Sequence, residues 1–318
     1  MVDFSKANFK DESFQLYFAG GWNKEVDVFL QDHNLNRLGS QLGERPLFED
    51  WMKAKMEGKG GHLFVDSGAW SAHSKGVELD IDEYISYVND HDDYFYIFAQ
   101  GDTIPGKFRQ VKTYQEKMQA PEKSWENYLY MVERVKSTHK LLPIFHQGEE
   151  FKWLKNILAY TDDYGNHIPY IGLSPANDSG VPMKIEFLRQ CFSIIKESDN
   201  PDVRTHAFGM TSLDVLEKFP LTSADSTSWI MCAANGGVYT SFGVITVSEK
   251  SDSPTHYRHL SIKEKKAIDD YIESYGYTTK EASEDYKVRM KLNILYLIEW
   301  MKNYTYKPYK STGLLLNL

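Results

Sequence analysis

The chain of 318 residues has 45 acidic and 36 basic side chains, and its net charge of −9 argues against non-specific nucleic-acid binding except through a local basic patch such as 280–291 or 302–310. Its two cysteines, Cys191 and Cys232, exclude a disulfide framework and a four-thiolate metal site. The N-terminal segment has no apolar core of the signal-peptide type, and no apolar run approaches the roughly 20 residues that span a bilayer, so we expect a cytoplasmic protein without membrane contact.

Seven short segments rich in β-branched and aromatic residues are predicted to be strands, and an eighth strand, which lacks this composition, is placed near 34–41. They cover residues 14–21, 34–41, 62–68, 94–102, 141–148, 168–175, 203–210 and 221–226. Stretches with helical periodicity lie between most of them, including 81–88, 125–135 and 185–195. This alternation predicts an α/β protein with a parallel sheet, and eight strands fit a TIM-type (β/α)₈ barrel. An open doubly wound sheet is the alternative, but the chain has no Gly-rich phosphate-binding motif to support its nucleotide-binding form.

Beyond residue 226 the alternation stops. Residues 235–250, NGGVYTSFGVITVSEK, predict a Gly-rich hairpin, and two helices are predicted at about 261–275 and 279–303. No linker rich in Pro, Gly or Ser marks a second domain. We therefore expect one domain over residues 1–318, with the barrel core at about 12–233.

Polar side chains recur at the carboxyl ends of the predicted strands. They are Asp66, Asp102, Gln147, Ser174 and Asp225. In a TIM barrel that edge is where active sites are built. Such a residue can instead cap the helix that follows, which is the alternative for each of the aspartates and for the serine. Five polar residues at one rim favour a functional site.

Seven motifs of one enzyme family, the last of them in two parts, have similar counterparts in the same order between residues 60 and 303. They are VDSGAW (65–70), IFAQGDTIPG (97–106), IFHQGEE (144–150), YIGLSPA (170–176), FGMTSLDVLEKFPLTSADSTSW (208–229), ANGGVYTSFG (234–243), and YRHL (257–260) with LNILYLIEWM (292–301). In these stretches the chain resembles the tRNA-guanine transglycosylases, and its compact loops look most like the phage-type relatives that insert 7-deazaguanines into DNA. The resemblance implies a TIM barrel that exchanges guanine for a 7-deazaguanine in nucleic acid, with DNA favoured over tRNA.

The resemblance also implies roles for individual residues. Asp225 would be the covalent nucleophile, and Asp66 would exchange a proton with the departing and incoming bases. The carboxylate of Asp102 can accept from the N1–H and exocyclic amine of guanine together. The other residues predicted to bind substrate are Ser67, Gly68, Gln147, Gly148, Gly172, Leu173 and Met210. The implied partners are DNA or tRNA and a free 7-deazaguanine base, and the sequence leaves a homodimer open.

A stacking face for the base is a further requirement. The candidates are Trp70, Phe145, Met210 and Trp229, and core packing is the alternative for each of them. His146, which lies on an apolar strand beside Gln147, is interpreted as a core residue and left out of the catalytic set.

The chain departs from the family pattern in three places. The family's zinc motif, C-x-C-x-x-C with a later His, has no counterpart because no cysteine follows Gly243, so we expect no metal and no cofactor. The family's P-T-R segment is replaced around 227–229, and the second Gly of D-S-G-G is Ala69. Two other functions stay open at this point. One is a glycosidase that uses Asp66 and Asp225, and the other is a nucleic-acid-binding barrel without catalysis.

Overall fold

The computed structural model describes residues 1–9, 13–176, 179–210 and 212–304. By the contacts between residues, these divide into two compact units. The first, called here the barrel unit, comprises Met1–Trp22 and Gln31–Asp225. The second, called the C-terminal unit, comprises Asn23–Leu30 and the described segment from Ser226 onwards. The division after Asp225 lies near the predicted end of the barrel core.

The barrel unit is built on a parallel sheet, which has nine strands among the described residues. In chain order they are β1 (Gln15–Phe18), β2 (Asn36–Ser40), β3 (Leu63–Asp66), β4 (Phe95–Ala99), β5 (Leu141–Leu142), β6 (Ile144–His146), β7 (Tyr170–Ser174), β8 (Arg204–Ala207) and β9 (Ser223–Ser226). Their order in the sheet is β5-β4-β3-β2-β1-β9-β8-β7-β6. The two outermost strands, β5 and β6, are consecutive in the chain, and the sheet is therefore a nearly closed barrel.

Pro143 separates β5 from β6 and accounts for the ninth strand, where eight were predicted. Proline has no backbone N–H and interrupts the ladder of hydrogen bonds. On one side of it, the amide of Gln100 donates to the carbonyl of Leu142 (3.0 Å). On the other, the amide of Gly172 donates to the carbonyl of Pro143 itself (2.8 Å). The predicted strand 141–148 thus bonds to β4 at its start and to β7 at its end. The predicted barrel-like α/β architecture is confirmed, with a strand count that differs from eight.

Helices follow most of the strands. Up to Asp225 the structure describes α1 (Lys24–Asp32), α2 (Arg45–Met56), α3 (Ala69–Lys75), α4 (Ile81–Asp90), α5 (Tyr114–Val132), α6 (Lys152–Ala159), α7 (Val181–Lys196) and α8 (Leu213–Leu216). The predictions at 81–88, 125–135 and 185–195 correspond to α4, α5 and α7. Helix α5 begins well before its predicted start because Thr113 and Glu116 form a capping box, in which each side chain accepts the other's backbone amide (3.2 and 2.7 Å).

Large apolar side chains fill the interior of the barrel. The buried cluster consists of Tyr17, Phe64, Ile97, Ala99, Leu142, Ile144 and Tyr170. Side chains two residues apart on a strand lie on the same face of the sheet. Asp66 therefore shares the inner face with Phe64, and its carboxyl group lies one step further towards the carboxyl end of the barrel.

The C-terminal unit contains a hairpin and helices. Its elements from Ser226 onwards are α9 (Ser228–Ala234), β10 (Gly237–Thr240), β11 (Gly243–Thr246), α10 (Ile262–Ser274), α11 (Thr279–Glu284) and α12 (Tyr286–Lys302). The antiparallel pair β10–β11 lies within the hairpin predicted at 235–250. The prediction of one helix over 279–303 is wrong. The backbone of Asp285 is extended, and its carboxylate accepts the amide of Lys287 (2.8 Å), so a new helix begins there.

The basic cluster 280–291 is not a free patch. Lys287 and Lys291 both pair with the carboxylate of Glu25 in the same unit, Lys291 at 2.8 Å. Arg289 is buried and donates to the carbonyl oxygens of Ala233 (2.8 Å) and Ala282 (2.7 Å). Of the second cluster, 302–310, the residues from 305 onwards lie outside the described part of the chain. None of the helices that the structure describes has the length and apolar character needed to cross a bilayer.

Candidate active site

The barrel brings three of the predicted carboxylates, those of Asp66, Asp102 and Asp225, into one electrostatic group. Asp66 ends β3, Asp102 follows the neighbouring strand β4, and Asp225 lies in β9. The charges of Asp102 and Asp225 both act on the carboxyl group of Asp66. The buried hydroxyl of Tyr84 donates to the carbonyl oxygens of Ala99 (2.8 Å) and Val65 (3.3 Å), and it thereby ties together the ends of β3 and β4. Sequence analysis did not single out this tyrosine.

Asp66 has the strongly shifted pKa that a proton-transferring carboxyl group needs. Burial, followed by the negative charge of Asp102, raises the pKa of Asp66 to about 7, against the opposing effect of a hydrogen bond from the amide of Gly68 (3.2 Å). At neutral pH this carboxyl group can therefore both give and take a proton. It is not the cap of a helix, because the N-cap residue of α3 is Gly68.

Gly68 makes the turn that holds Asp66. Its φ of 82° lies in the left-handed region, and a Cβ at this position would lie 2.5 Å from the Cβ of Leu42 and 2.7 Å from Oγ of Ser40. Only glycine fits there, which explains the D-S-G sequence. Ser67 is buried, and its hydroxyl accepts the amide of Ala69 (3.4 Å). The contacts of Ser67 and Gly68 are those of a turn that positions the carboxyl group.

Asp102 is anchored through both of its oxygens. Oδ1 accepts from the side-chain amide of Gln100 (2.6 Å), and Oδ2 lies 3.2 Å from Nε2 of His146. The N-cap residue of the following helix is Thr113, so the capping alternative for Asp102 is wrong. Each carboxylate oxygen has two acceptor positions, and one on each remains for a ligand.

His146 belongs to the site, contrary to its interpretation as a core residue. Its Nδ1 lies 3.1 Å from Oε1 of Glu149, so the imidazole lies between two carboxylates. Burial opposes its charge, but Asp102 and Glu149 together raise the pKa of His146 well above its usual value. Because both ring nitrogens are bonded, this imidazolium fixes Asp102 and does not face a substrate as an acid. The glutamate three residues after the histidine was the sequence signal that could have revealed it.

Asp225 stands at the end of a buried chain of polar groups. The hydroxyl of Tyr170 lies 2.6 Å from Oγ of Ser223, which lies 2.5 Å from Nδ1 of His206. Nε2 of that histidine lies 3.3 Å from Oδ1 of Asp225, and the amide of Gly209 donates to the same oxygen (2.9 Å). Within the part of the chain that the structure describes, the hydrogen bonds to Asp225 end on Oδ1, and Oδ2 accepts none.

The donor and the acceptor in each of these hydrogen bonds follow from the chemistry of the groups. Burial lowers the pKa of His206, with Asp225 acting against it, so the imidazole is neutral and has one N–H. A carboxylate only accepts, and the N–H therefore lies on Nε2 and faces Asp225. Nδ1 then accepts from Ser223, which in turn accepts from Tyr170. The N-cap residue of α9 is Thr227, so Asp225 does not cap that helix.

Replacing His206 with Phe is expected to lower kcat of a reaction that depends on Asp225 about ten- to a hundredfold, with little change in KM for its substrate. The phenyl ring can pack against Phe64 and Phe208 as the imidazole does (4.8 and 4.5 Å between centroids), but it cannot hold Oδ1 of Asp225. Steady-state kinetics and the melting temperature should be measured together. His167→Phe, at a half-buried histidine near the amino end of β7, is the matched control. A lowered melting temperature with unchanged kcat would mean that His206 has only a structural role.

The other residues predicted to bind substrate take two different positions. Gln147 and Gly148 line a cavity of about 410 Å³ beside β6. The side-chain oxygen of Gln147 accepts from the amide of Ala176 (2.9 Å) and the hydroxyl of Ser179 (3.2 Å), so it holds the loop after β7. The cavity is further lined by Phe145, Glu149, Phe151, Pro182, Met183, Glu186, Phe187 and Gln190.

Gly172 and Leu173 take part in the barrel itself. The amide of Gly172 donates across the sheet to Pro143, and a Cβ on Gly172 would lie 2.6 Å from the ring of Phe208. The carbonyl of Leu173 accepts the amide of Phe208 (2.9 Å). These backbone groups are already bonded, and the role of the glycine lies in close packing.

The four stacking candidates differ in exposure. Trp70 is exposed, with 57% of its surface accessible, whereas Phe145, Met210 and Trp229 are each about 1% accessible. The indole N–H of Trp229 also donates to the carbonyl of Ser226 within the C-terminal unit (3.1 Å). Of these side chains, Trp70 is the one available to a base in the structure as it stands.

Among the described residues, no group of three or more His, Cys, Asp or Glu side chains is placed to hold a metal ion. Comparison of the chain with models of known protein families gives no match, and comparison with curated proteins gives none either. Its function must therefore be inferred from the chemistry of its own residues.

Proposed function

We propose that this chain is a base-exchange transglycosylase on a TIM-type (β/α)₈ barrel, which replaces guanine in nucleic acid with a 7-deazaguanine. The fold supports this reading if β5 and β6 are counted as one strand interrupted at Pro143. The observation that carries the proposal is the pairing of Asp66, whose pKa is about 7, with Asp225, which is held through one oxygen. One carboxyl group suits proton transfer, and the other suits nucleophilic attack.

The reaction takes two steps. Oδ2 of Asp225 attacks C1′ of the target nucleotide, the bond from C1′ to N9 of guanine breaks, and Asp66 gives its proton to the departing base. A glycosyl ester of Asp225 results. The incoming 7-deazaguanine then loses its N9 proton to Asp66 and attacks C1′, and the ester bond breaks. Atoms and charges balance, and the cycle requires no cofactor.

Asp102 reads the base in this proposal. Its two oxygens are fixed by Gln100 and His146 and keep one acceptor position each, which matches the N1–H and the exocyclic amine of guanine. Adenine offers no such pair of donors. The favoured polymer is DNA, as the compact loops suggest, with tRNA second.

Replacing Asp102 with Asn is expected to lower the affinity for free guanine ten- to a hundredfold, because an amide donor would then face donors in a partly buried site. The guanine preference over hypoxanthine, which lacks the exocyclic amine, should shrink as well. Equilibrium binding of both bases is the measurement. The change also disturbs the anchoring groups, so Gln100→Met, which keeps the carboxylate and removes one anchor, is the control. Equal losses in the two variants would mean that anchoring, not base reading, explains the effect.

Incubation of the protein with labelled guanine and either DNA or tRNA tests the proposal as a whole. Incorporation of label into one polymer supports exchange and identifies the substrate. Release of a free base without incorporation would identify an N-glycosidase that uses the same two carboxylates. A protein that binds nucleic acid but neither releases nor incorporates a base would be a non-catalytic barrel.

A further inference from the structure

Two segments that flank the carboxylates form a local basic surface on an acidic protein. Helix α3 begins three residues after Asp66, and the segment 103–115 follows Asp102 directly. Residues 67–77 and 103–115 contain no acidic side chain. They contain four cationic ones, which are Lys75, Lys107, Arg109 and Lys112. We call these two segments the rim patch.

The two segments of the rim patch lie against each other. The ring of Phe108 contacts those of Trp70 and His73 edge-on, with centroids 5.9 and 6.0 Å apart. The guanidinium of Arg109 lies over Phe108, 5.2 Å from the ring centroid. Cationic and aromatic groups therefore alternate on one surface beside the candidate active site.

The rim patch is accessible, and its positive charge is opposed at one end, where Lys107 acts electrostatically on the carboxylate of Glu116. Tyr114 is 78% accessible and Val111 is 97% accessible, an unusual exposure for apolar side chains in such close succession. Within the part of the chain that the structure describes, Lys75, Lys107 and Arg109 form no ion pair, and neither does Lys112. On α12, by contrast, Lys287 and Lys291 both pair with Glu25.

We propose that the rim patch binds an unpaired nucleic-acid strand on the flank of the nucleotide that is exchanged. Cations along a groove track the phosphates, and exposed aromatic rings stack on bases, which are accessible only when the strand is unpaired. The net charge of −9 repels a polyanion elsewhere and confines it to this surface. The occupant follows from the proposed function, on which this inference rests. The candidate active site carries carboxylates, and the rim patch beside it carries cations. This arrangement fits a substrate that is neutral at its glycosidic bond and anionic along its backbone.

Binding to labelled oligonucleotides over a range of salt concentrations tests the charges. The triple variant Lys107→Gln, Arg109→Gln, Lys112→Gln should lower the slope of log K against log salt by about 2, since each contact on a single strand contributes about 0.7. Its Kd at low salt should rise at least about tenfold. The matched control is Lys53→Gln, Lys155→Gln, Lys196→Gln, which removes three exposed cations from α2, α6 and α7. That control should leave both quantities close to those of the wild-type protein.

A second variant tests the aromatic side chains. Trp70→Leu combined with Tyr114→Leu should raise Kd about tenfold and leave the salt slope unchanged, because stacking releases no counterions. The probes are a single strand of roughly 12 nucleotides of DNA, the same sequence in RNA, and the DNA duplex. Either single strand should bind more tightly than the duplex, and the tighter of the two identifies the polymer.

Three results would overturn the inference: equal effects of the triple variant and its control, tighter binding of the duplex, or equally strong competition by polyglutamate, which would indicate an acidic protein partner. The assay does not depend on catalysis. If the wild-type protein shows no exchange but its binding follows the expected pattern, the proposed function fails and the rim patch stands. If exchange occurs but the variants bind like the wild type, only the rim patch fails.

Discussion

Replacing Asp225 with Asn is expected to lower base exchange on the order of 10⁴-fold or more, because an amide cannot form the glycosyl ester. The change keeps the shape of the side chain, and the amide of Gly209 can still donate to its oxygen. Folding should therefore persist. Incorporation of labelled guanine and the melting temperature are the two measurements.

Trapping of the intermediate makes this test specific. Wild-type protein incubated with its polymer and without an incoming base should retain the polymer after denaturation, whereas the Asn variant should not. Asp214→Asn provides the control, since it makes the same chemical change at an exposed residue of α8. A denaturation-resistant adduct in the Asp225→Asn protein would rule out Asp225 as the nucleophile.

The fold was predictable because hydrophobic pattern and turn residues agree in this chain. Each of the eight predicted segments contains an observed strand, including the indistinct one at 34–41, where β2 lies. Two details of the fold could not be predicted from the sequence. The division at Pro143 depends on which strands pair on either side of it, and the break at Asp285 depends on one local hydrogen bond that helical periodicity does not reveal.

The positions of the carboxylates were predictable, but their partners were not. Asp66, Asp102 and Asp225 each follow or end a strand, which a sequence shows directly. The bond between Ser223 and His206 depends on the register of β8 against β9, in which these two residues are opposite each other. A histidine in an apolar strand gives no sign of the strand it will pair with. For His146, Glu149 was a local signal, but the contact with Asp102 depends on how the barrel closes.

Asp66→Asn is expected to remove a pH dependence from both activity and stability. In exchange, Asp66 must be protonated to release one base and ionised to accept the proton of the next, so the wild-type rate should change around pH 7. The variant can do neither, and its rate should fall by about 10²- to 10⁴-fold. The rate that remains should not change around pH 7. The rate of label incorporation between pH 5 and 9 is the measurement.

The free energy of unfolding should also depend on the protonation of Asp66. The pKa of Asp66 is raised from 3.8 to about 7, so between these values the folded chain holds a proton that the unfolded chain releases. The free energy of unfolding therefore falls as pH rises through this window, and above about pH 7 the full cost of the buried charge, at most ~4 kcal/mol, is present. Asp66→Asn removes that cost, and the variant should gain stability relative to wild type from pH 4 to pH 8 in urea unfolding.

Asp162→Asn is the control for this comparison. Burial acts to raise the pKa of Asp162, but hydrogen bonds from Asn166 and from backbone amides together outweigh it and lower the pKa, so its titration window lies below that of an ordinary aspartate. Its variant should lose stability by an amount that stays constant between pH 4 and pH 8. If Asp66→Asn is equally flat over that range, the carboxyl group of Asp66 is ionised throughout. It could not then act as the acid, and the departing base would have to take its proton from another group.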